Sequence, residues 1–531
     1  MNRGQLMLNF IHENLFYIST ILLLLSFPYS ESLLSIATGF LLLQLFFTED
    51  FNTKWNILIT DRSLWALCGI FFIYLIGCFF CKDASTGWYE LKKTIFWLIV
   101  PLGVALSRKL SEKRFWLLLF LFVIFVTVST IVATYKIINQ EQFQITNIRE
   151  ASYVSHVSFS FQIILSLFIL AYGWLKRPSI ICRIKPIFLI AGGAWLIFFL
   201  ILQKSLIGII SFYFSVLVFG IWIIGQVKFV RKRTILIITA ISFSIIPFLY
   251  VGYVFYNFYT IKDVMPTYEK MFTSNGNRYS FNPENLQKEN GHYVNWYICN
   301  KELEQLWNQR SQLFLYDNDA TGYQVYYTLI RYLTSKGLKK DAQGVSSLTD
   351  QDIVNIEKGI SNYIFVDKKY SLYPRIYQTI WELDEYRNTG NPNNQSLSQR
   401  FEYIKAAIYI IQHNFWGIGT GNYKLEYANA YDQINTRLDH EFRFHVHNQY
   451  LGYMVKFGII GLILIISLVF YSIYHKRQFR NILMVTLLVV LMISSFGEAI
   501  LETHVGLPFF LFFISLFLWH SPNDLTHSMS N

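Results

Sequence analysis

Charge is scarce in this chain. Asp, Glu, Lys and Arg make up 15% of its 531 residues, against 53% hydrophobic and 18% aromatic, and the mean hydropathy is +0.34. That leaves too little polar surface to clothe several water-soluble domains, so a soluble protein is excluded as a description of the whole. Cysteine is sparse too. Of the five, Cys68, Cys78 and Cys81 share one apolar segment, Cys182 borders a short basic loop and Cys299 stands alone, so neither a disulfide framework nor a thiolate metal site is implied. The first apolar run has no basic stretch ahead of it. Phe27-Pro28-Tyr29 stands in place of a small-residue cleavage site, which reads as a retained helix.

Long apolar runs are what the chain has in abundance. Segments of roughly 17 to 25 residues, the length of a bilayer-crossing helix, recur at 11–27, 32–48, 63–81, 94–107, 115–135, 154–175, 186–202, 206–225, 234–257, 448–474, 482–499 and 505–520. The expected fold class is an all-α polytopic membrane protein with about 12 transmembrane helices. If the N-terminus is cytoplasmic, the short inside loops hold about seventeen Lys and Arg residues, among them Arg108, Lys109, Arg183, Lys232 and Arg477. The short outside connections hold about six: Lys82, Lys92, Lys93, Lys136, Arg149 and Lys204. This asymmetry follows the positive-inside rule. The net charge of +11 is therefore mostly a topology signal, and basic residues scattered over short loops form no patch for nucleic acid.

One long polar interruption organises the rest. The expected layout is helices 1–9 over 1–257, a mainly helical periplasmic loop domain over 258–447, helices 10–12 over 448–520, and a cytoplasmic tail over 521–531. The loop is rich in aromatics such as Trp296, Trp307, Tyr332 and Trp381 and should fold. Helical patterns appear at 300–309, 322–336 and 349–361, the last with a cap-like Thr349-x-x-Asp352 start. Gly390-Asn391-Pro392-Asn393-Asn394 breaks the chain before a further helix near 399–414. No internal repeat is evident and the spans are nearly free of ionisable groups at their centres, which argues against a secondary transporter. Gly417-Ile418-Gly419-Thr420-Gly421 lacks the Lys-Ser/Thr of a nucleotide loop and reads as a turn, and Asp317-Asn318-Asp319 reads as a solvated turn.

The polar chemistry gathers where the loop re-enters the apolar region. His447-Asn448-Gln449-Tyr450 runs straight into a spanning segment, and a titratable imidazole at a membrane surface is suited to moving a proton for a half-lipid substrate. Arg400, near the start of a helix, offers a planar, permanently charged donor set matched to phosphate oxygens. Read from residue chemistry alone, His447 serves equally as a polar anchor and Arg400 as a helix cap. His445 is the competing imidazole, and Asn448 directly after His447 favours the latter.

Arg400, the 417–421 glycine turn, His447-Asn448-Gln449-Tyr450-Leu451 and Gly458-Ile459-Ile460-Gly461, with Glu498 and Leu501-Glu502-Thr503 before the last helix, together resemble the O-antigen ligase and O-antigen polymerase superfamily. Blocks such as Glu289-Asn290-Gly291-His292-Tyr293 and Leu329-Ile330-Arg331-Tyr332 resemble those of Bacteroidetes-type members. The resemblance implies an inverting, metal-independent O-antigen ligase-like glycosyltransferase of the bacterial inner membrane, used in lipopolysaccharide biosynthesis, with its site facing the periplasm. It would move a glycan from undecaprenyl diphosphate to a sugar hydroxyl of lipid A-core, or to another glycan or protein acceptor. No cofactor, metal or nucleic acid partner is implied. His447 would be the catalytic base, Arg400 and Lys204 the diphosphate cations, and Asn448, Glu498 and Glu502 part of the substrate cleft. Lys204-Ser205-Leu206-Ile207-Gly208 departs from the family's Ser-Arg pair, which leaves the role of Lys204 open. An O-antigen polymerase or a protein O-oligosaccharyltransferase would use the same donor. A non-enzymatic lipid-carrier exporter is the alternative from another class.

Overall fold

Each of the twelve apolar segments coincides with a helix in the computed structural model, which describes residues 3–47, 51–139, 148–263 and 271–522. The expected tail from 521 therefore lies almost wholly outside the described residues. Among the described residues five helices are long and apolar enough to cross a membrane: Glu112–Ile138, His156–Lys176, Leu206–Gln226, Val230–Tyr259 and Gln449–His475. Glu31–Phe47 with Phe51–Thr60 makes a sixth if that bent pair counts as one span. The Arg62–Cys78, Pro186–Leu202, Ile482–Ser494 and Gly506–His520 helices hold 13 to 17 residues. At 1.5 Å per residue they cover about 20–26 Å, less than a hydrocarbon core of about 30 Å. Their apolar length still decides their place. Gly506–His520 is apolar around its whole circumference and buried along most of its length, as such a helix must be, and Phe509 and Phe513 pack against Phe27 and Phe122 at ring distances of 4.9–6.2 Å. Ile235, Ile238, Ile245 and Ile246 on the Val230–Tyr259 helix are exposed, a surface suited to lipid.

Contacts gather the chain into two compact units, Met1–Ala240 with Gln399–Asn531, and Ile241–Ser398. Residues 399–447 thus fold with the first group of helices. The second unit is built of short helices, among them Asn300–Arg310, Val325–Ser335, Asp350–Glu357 and Tyr373–Thr389, around Trp307, Leu329, Leu333 and Ile356. Lys288–Glu289 and His292–Tyr293 pair as a small antiparallel hairpin, the one sheet among the described residues. Thr349 and Asp352 form the expected reciprocal capping box. Asp319 accepts hydrogen bonds from Thr321 and Tyr323 within its own turn and from Thr328 Oγ1, and it is buried, so the acidic pair is a turn but not a solvated one.

The element that sets up the candidate site is the Gln449–His475 helix. Asn448 caps it, accepting from Leu451 N at 3.0 Å, but the helix is broken at Gly458 (φ 68°, ψ 180°). The break frees carbonyls that need donors. Ile418 N donates to Val455 O and Gly419 N to Lys456 O, each at 2.9 Å. The glycine run is therefore a turn docked into the broken helix. Gly417 (φ 82°) and Gly458 each occupy the left-handed region, and a Cβ on Gly417 would lie 2.5 Å from Gly458 N. Thr420 ties the same turn to the end of Arg62–Cys78, its N donating to Gly77 O and its Oγ1 to Tyr74 O.

Candidate functional site

Two hydrogen bonds, one between backbones and one through the Gln449 side chain, bring His447 to Glu498. Gln449 N donates to Ser495 O at 2.8 Å, and Leu501 N donates to Gln449 Oε1 at 2.8 Å. Asn448 adds a bond from its Nδ2 to Phe496 O at 3.0 Å. The 445–450 segment is thus fastened along the 495–501 connection. Beside this seam opens a recess of about 250 Å³, lined by His447, His445, Glu498, Glu502, Lys456 and Glu90 among others.

His447 Nδ1 lies 3.1 Å from Glu498 Oε2. Burial would raise the carboxyl's pKa, but the hydrogen bond from His447 and the positive charge of Arg400 outweigh it and hold Glu498 below the usual carboxylate range. An ionised carboxylate only accepts, so Nδ1 carries the proton and Nε2 of a neutral ring keeps its lone pair. No hydrogen bond to Nε2 occurs among the described residues. The ring is partly open to solvent, and His445 stacks beside it at 5.9 Å. His445 is exposed along one side, yet the protein packed around it still lowers its affinity for a proton. The arrangement can hold an imidazole ready to take a proton from a bound hydroxyl.

Arg400 shares the same carboxylate. Its Nη2 donates to Glu498 Oε1 at 2.7 Å and its Nη1 to Gly497 O. Gly497 is pinched in between, since a Cβ there would lie 2.5 Å from Ile207 Cδ1 and 3.9 Å from Arg400 Nη1. Arg400 does not line the recess itself; Glu498 joins it to His447. Lys204, three residues before Ile207, sits with φ 55° in the turn between Pro186–Leu202 and Leu206–Gln226 and is also outside the lining. Of the residues expected in a substrate cleft, Glu498 and Glu502 line the recess. Asn448 does not, because its amide is spent on the helix cap and on Phe496.

A second charged group was not anticipated from the sequence. Lys456 is buried between Glu502, at 2.8 Å, and Glu90, at 3.2 Å, and Glu90 also holds Lys93 at 3.1 Å. Glu502 Oε1 is buried with no hydrogen-bond partner among the described residues. The available signal was Lys456 itself, a lone cation inside an apolar run, which calls for a carboxylate partner. Nothing local indicates that Glu90 would supply one. Among the described residues no group of three or more His, Cys, Asp or Glu is placed to hold a metal ion.

The assembly is a helical membrane protein whose imidazole, carboxylate and guanidinium meet at the end of a broken span. Residues 359–466, which carry Arg400, the glycine turn, His447 and Lys456, match the family model described as O-antigen ligase. The chain therefore carries a region similar to O-antigen ligase over these residues, which supports a place in the O-antigen ligase superfamily. No curated protein matches the chain.

Proposed function

We propose that the protein is a glycan transferase of the O-antigen ligase type, crossing the bacterial inner membrane twelve times with residues 258–447 and the recess on the periplasmic side. The donor is a glycan on undecaprenyl diphosphate. His447 Nε2 takes the proton of an acceptor sugar hydroxyl as its oxygen attacks the anomeric carbon. The bond from that carbon to the phosphate oxygen breaks, and undecaprenyl diphosphate leaves with the electron pair. Arg400, with Lys204 from the neighbouring turn, stabilises the charge gathering on the leaving phosphate. Direct attack without a covalent intermediate inverts the anomeric centre. The chain of contacts His447–Glu498–Arg400 carries this reading, because it couples the proton acceptor and the phosphate cation through one carboxylate.

Ligase, polymerase and protein O-oligosaccharyltransferase differ only in acceptor. Deleting the gene and analysing surface glycans separates them. Loss of long glycan from lipid A-core with accumulation of lipid-linked polymer supports the ligase. A change confined to chain length supports a polymerase, and loss of glycan from proteins alone supports the third. A lipid-carrier exporter would leave export indifferent to His447.

A further inference from the structure

The Ile241–Ser398 unit has a recess of its own, of about 180 Å³. The Tyr373–Thr389 helix supplies Tyr377, Gln378 and Trp381 to it, Phe365 comes from the preceding segment, and Asn394 and Gln395 come from the chain beyond the helix. Its floor is unusually fixed. The guanidinium carbon of Arg331 stands 4.5 Å from the centre of the Trp381 ring, and its Nε and Nη2 both donate to Glu289 Oε1, at 2.8 and 2.7 Å. The other oxygen of this fully buried carboxylate accepts from Asn362 Nδ2 and Tyr377 OH, at 2.7 and 2.8 Å. Four donors on one buried carboxylate lock the aromatic and guanidinium groups in place before any ligand arrives.

The recess favours a neutral ligand. Glu289 cancels the charge of Arg331, and the buried Glu382 in the lining offsets Arg375, whose guanidinium holds Gln378. What faces the space is hydrogen-bonding capacity with little net charge. Gln378 Oε1 is occupied by Arg375 Nη1 and Gln395 Oε1 by Ser398 Oγ. The amide –NH2 groups of both have no acceptor among the described residues. Asn394 stands exposed at the rim in the left-handed region (φ 60°), which Asn tolerates better than most residues. Amide donors beside aromatic rings match one kind of ligand well, a ring with oxygens on its edge and C–H groups on its face. The volume is below the roughly 300–1,000 Å³ of sites for drug-sized ligands, which limits it to one such ring.

We propose that this recess, walled by Trp381, Phe365, Gln378, Asn394 and Gln395, binds a single neutral sugar residue. That the sugar belongs to a glycan handled by the enzyme rests on the transferase reading above; the chemistry of the recess does not. Bound at the recess, a saccharide would be held by the protein without undergoing reaction there.

The test uses the full chain in lipid nanodiscs and saturation-transfer difference NMR with methyl glycosides of glucose, galactose, mannose and N-acetylglucosamine, and with glucuronic acid. At least one neutral glycoside should receive saturation, and glucuronic acid should not. Gln378→Ala and Trp381→Ala should each weaken binding by roughly tenfold or more, as expected for loss of a hydrogen bond or stacking surface. Gln378 is partly exposed, so its variant folds even where Trp381→Ala does not. His447→Ala should bind as the wild type does, which separates this site from the transfer site. The proposal is overturned if no neutral glycoside binds the wild type, if glucuronic acid binds in preference, or if binding survives Gln378→Ala and disappears with His447→Ala.

Discussion

His447 Nδ1 and Glu498 Oε2 lie 3.1 Å apart, so the carboxylate fixes which ring nitrogen bears the proton. Replacing Glu498 with Gln removes the charge that secures this tautomer and leaves Arg400 without its anion. Turnover should fall by about 10² to 10⁴, the range for loss of an acid–base function or its orienting carboxylate. The variant should also lose an acid-side stability step. Glu498 is depressed in the folded protein because the bond from His447 and the charge of Arg400 overcome its burial, so its contribution is present above the unfolded carboxylate value of about 4.3 and is lost as pH falls through the lower folded one. Thermal scans of the two proteins across pH 3 to 7 measure it; curves that stay parallel would show that Glu498 is not stabilised as an ion.

Arg400→Lys keeps the charge and loses the fork that reaches both Gly497 O and Glu498. A single ammonium cannot hold both and still face a phosphate. Initial rates at saturating donor should drop at least tenfold while the protein remains folded in the membrane. Equal rates would show that a point charge suffices.

Lys456→Met leaves Glu90 and Glu502 buried without their shared cation. Removing one partner of a buried ion pair costs about 3–5 kcal/mol, so the midpoint of thermal unfolding in detergent should fall clearly. Adding Glu502→Gln to the same chain should restore part of the loss. No recovery in the double variant would mean that the ion group is not what holds this end of the helix.

The proposed orientation rests on the Lys and Arg asymmetry of the short loops. Reporter fusions at residues 110, 180, 230 and 478 should read cytoplasmic, and those at 300 and 390 periplasmic. A cytoplasmic signal at 300 would put the His447 recess on the wrong side for a periplasmic acceptor.

Much of the architecture is written locally and was readable for that reason. Apolar runs mark the twelve helices, Thr349 and Asp352 mark a capping box, and the glycines at 417–421 mark a turn. The helix that follows His447 is marked locally too, by its cap Asn448. What was missed depends on partners far apart in the chain. Lys456 meets Glu90 across 366 positions, and no periodicity encodes that meeting. The break at Gly458 inside the 448–474 span was not visible either, because the carbonyls freed there are satisfied by a turn about forty residues earlier. Asn448, which the resemblance puts in the cleft, lies outside the recess lining, with its side chain bonded to Leu451 N and Phe496 O. The number of residues in each apolar helix, rather than their count, is what leaves five of clear spanning length among the described residues.

The central claim is that His447 takes the acceptor's proton, and the most direct measurement is glycan transfer by purified protein from a lipid-linked donor to an acceptor, comparing His447→Ala with His445→Ala. His447→Ala should lose transfer by at least a hundredfold while still binding donor, and His445→Ala should retain most of the activity. A dead His445→Ala beside an active His447→Ala would move the base to the neighbouring ring, and full activity in both would contradict the account.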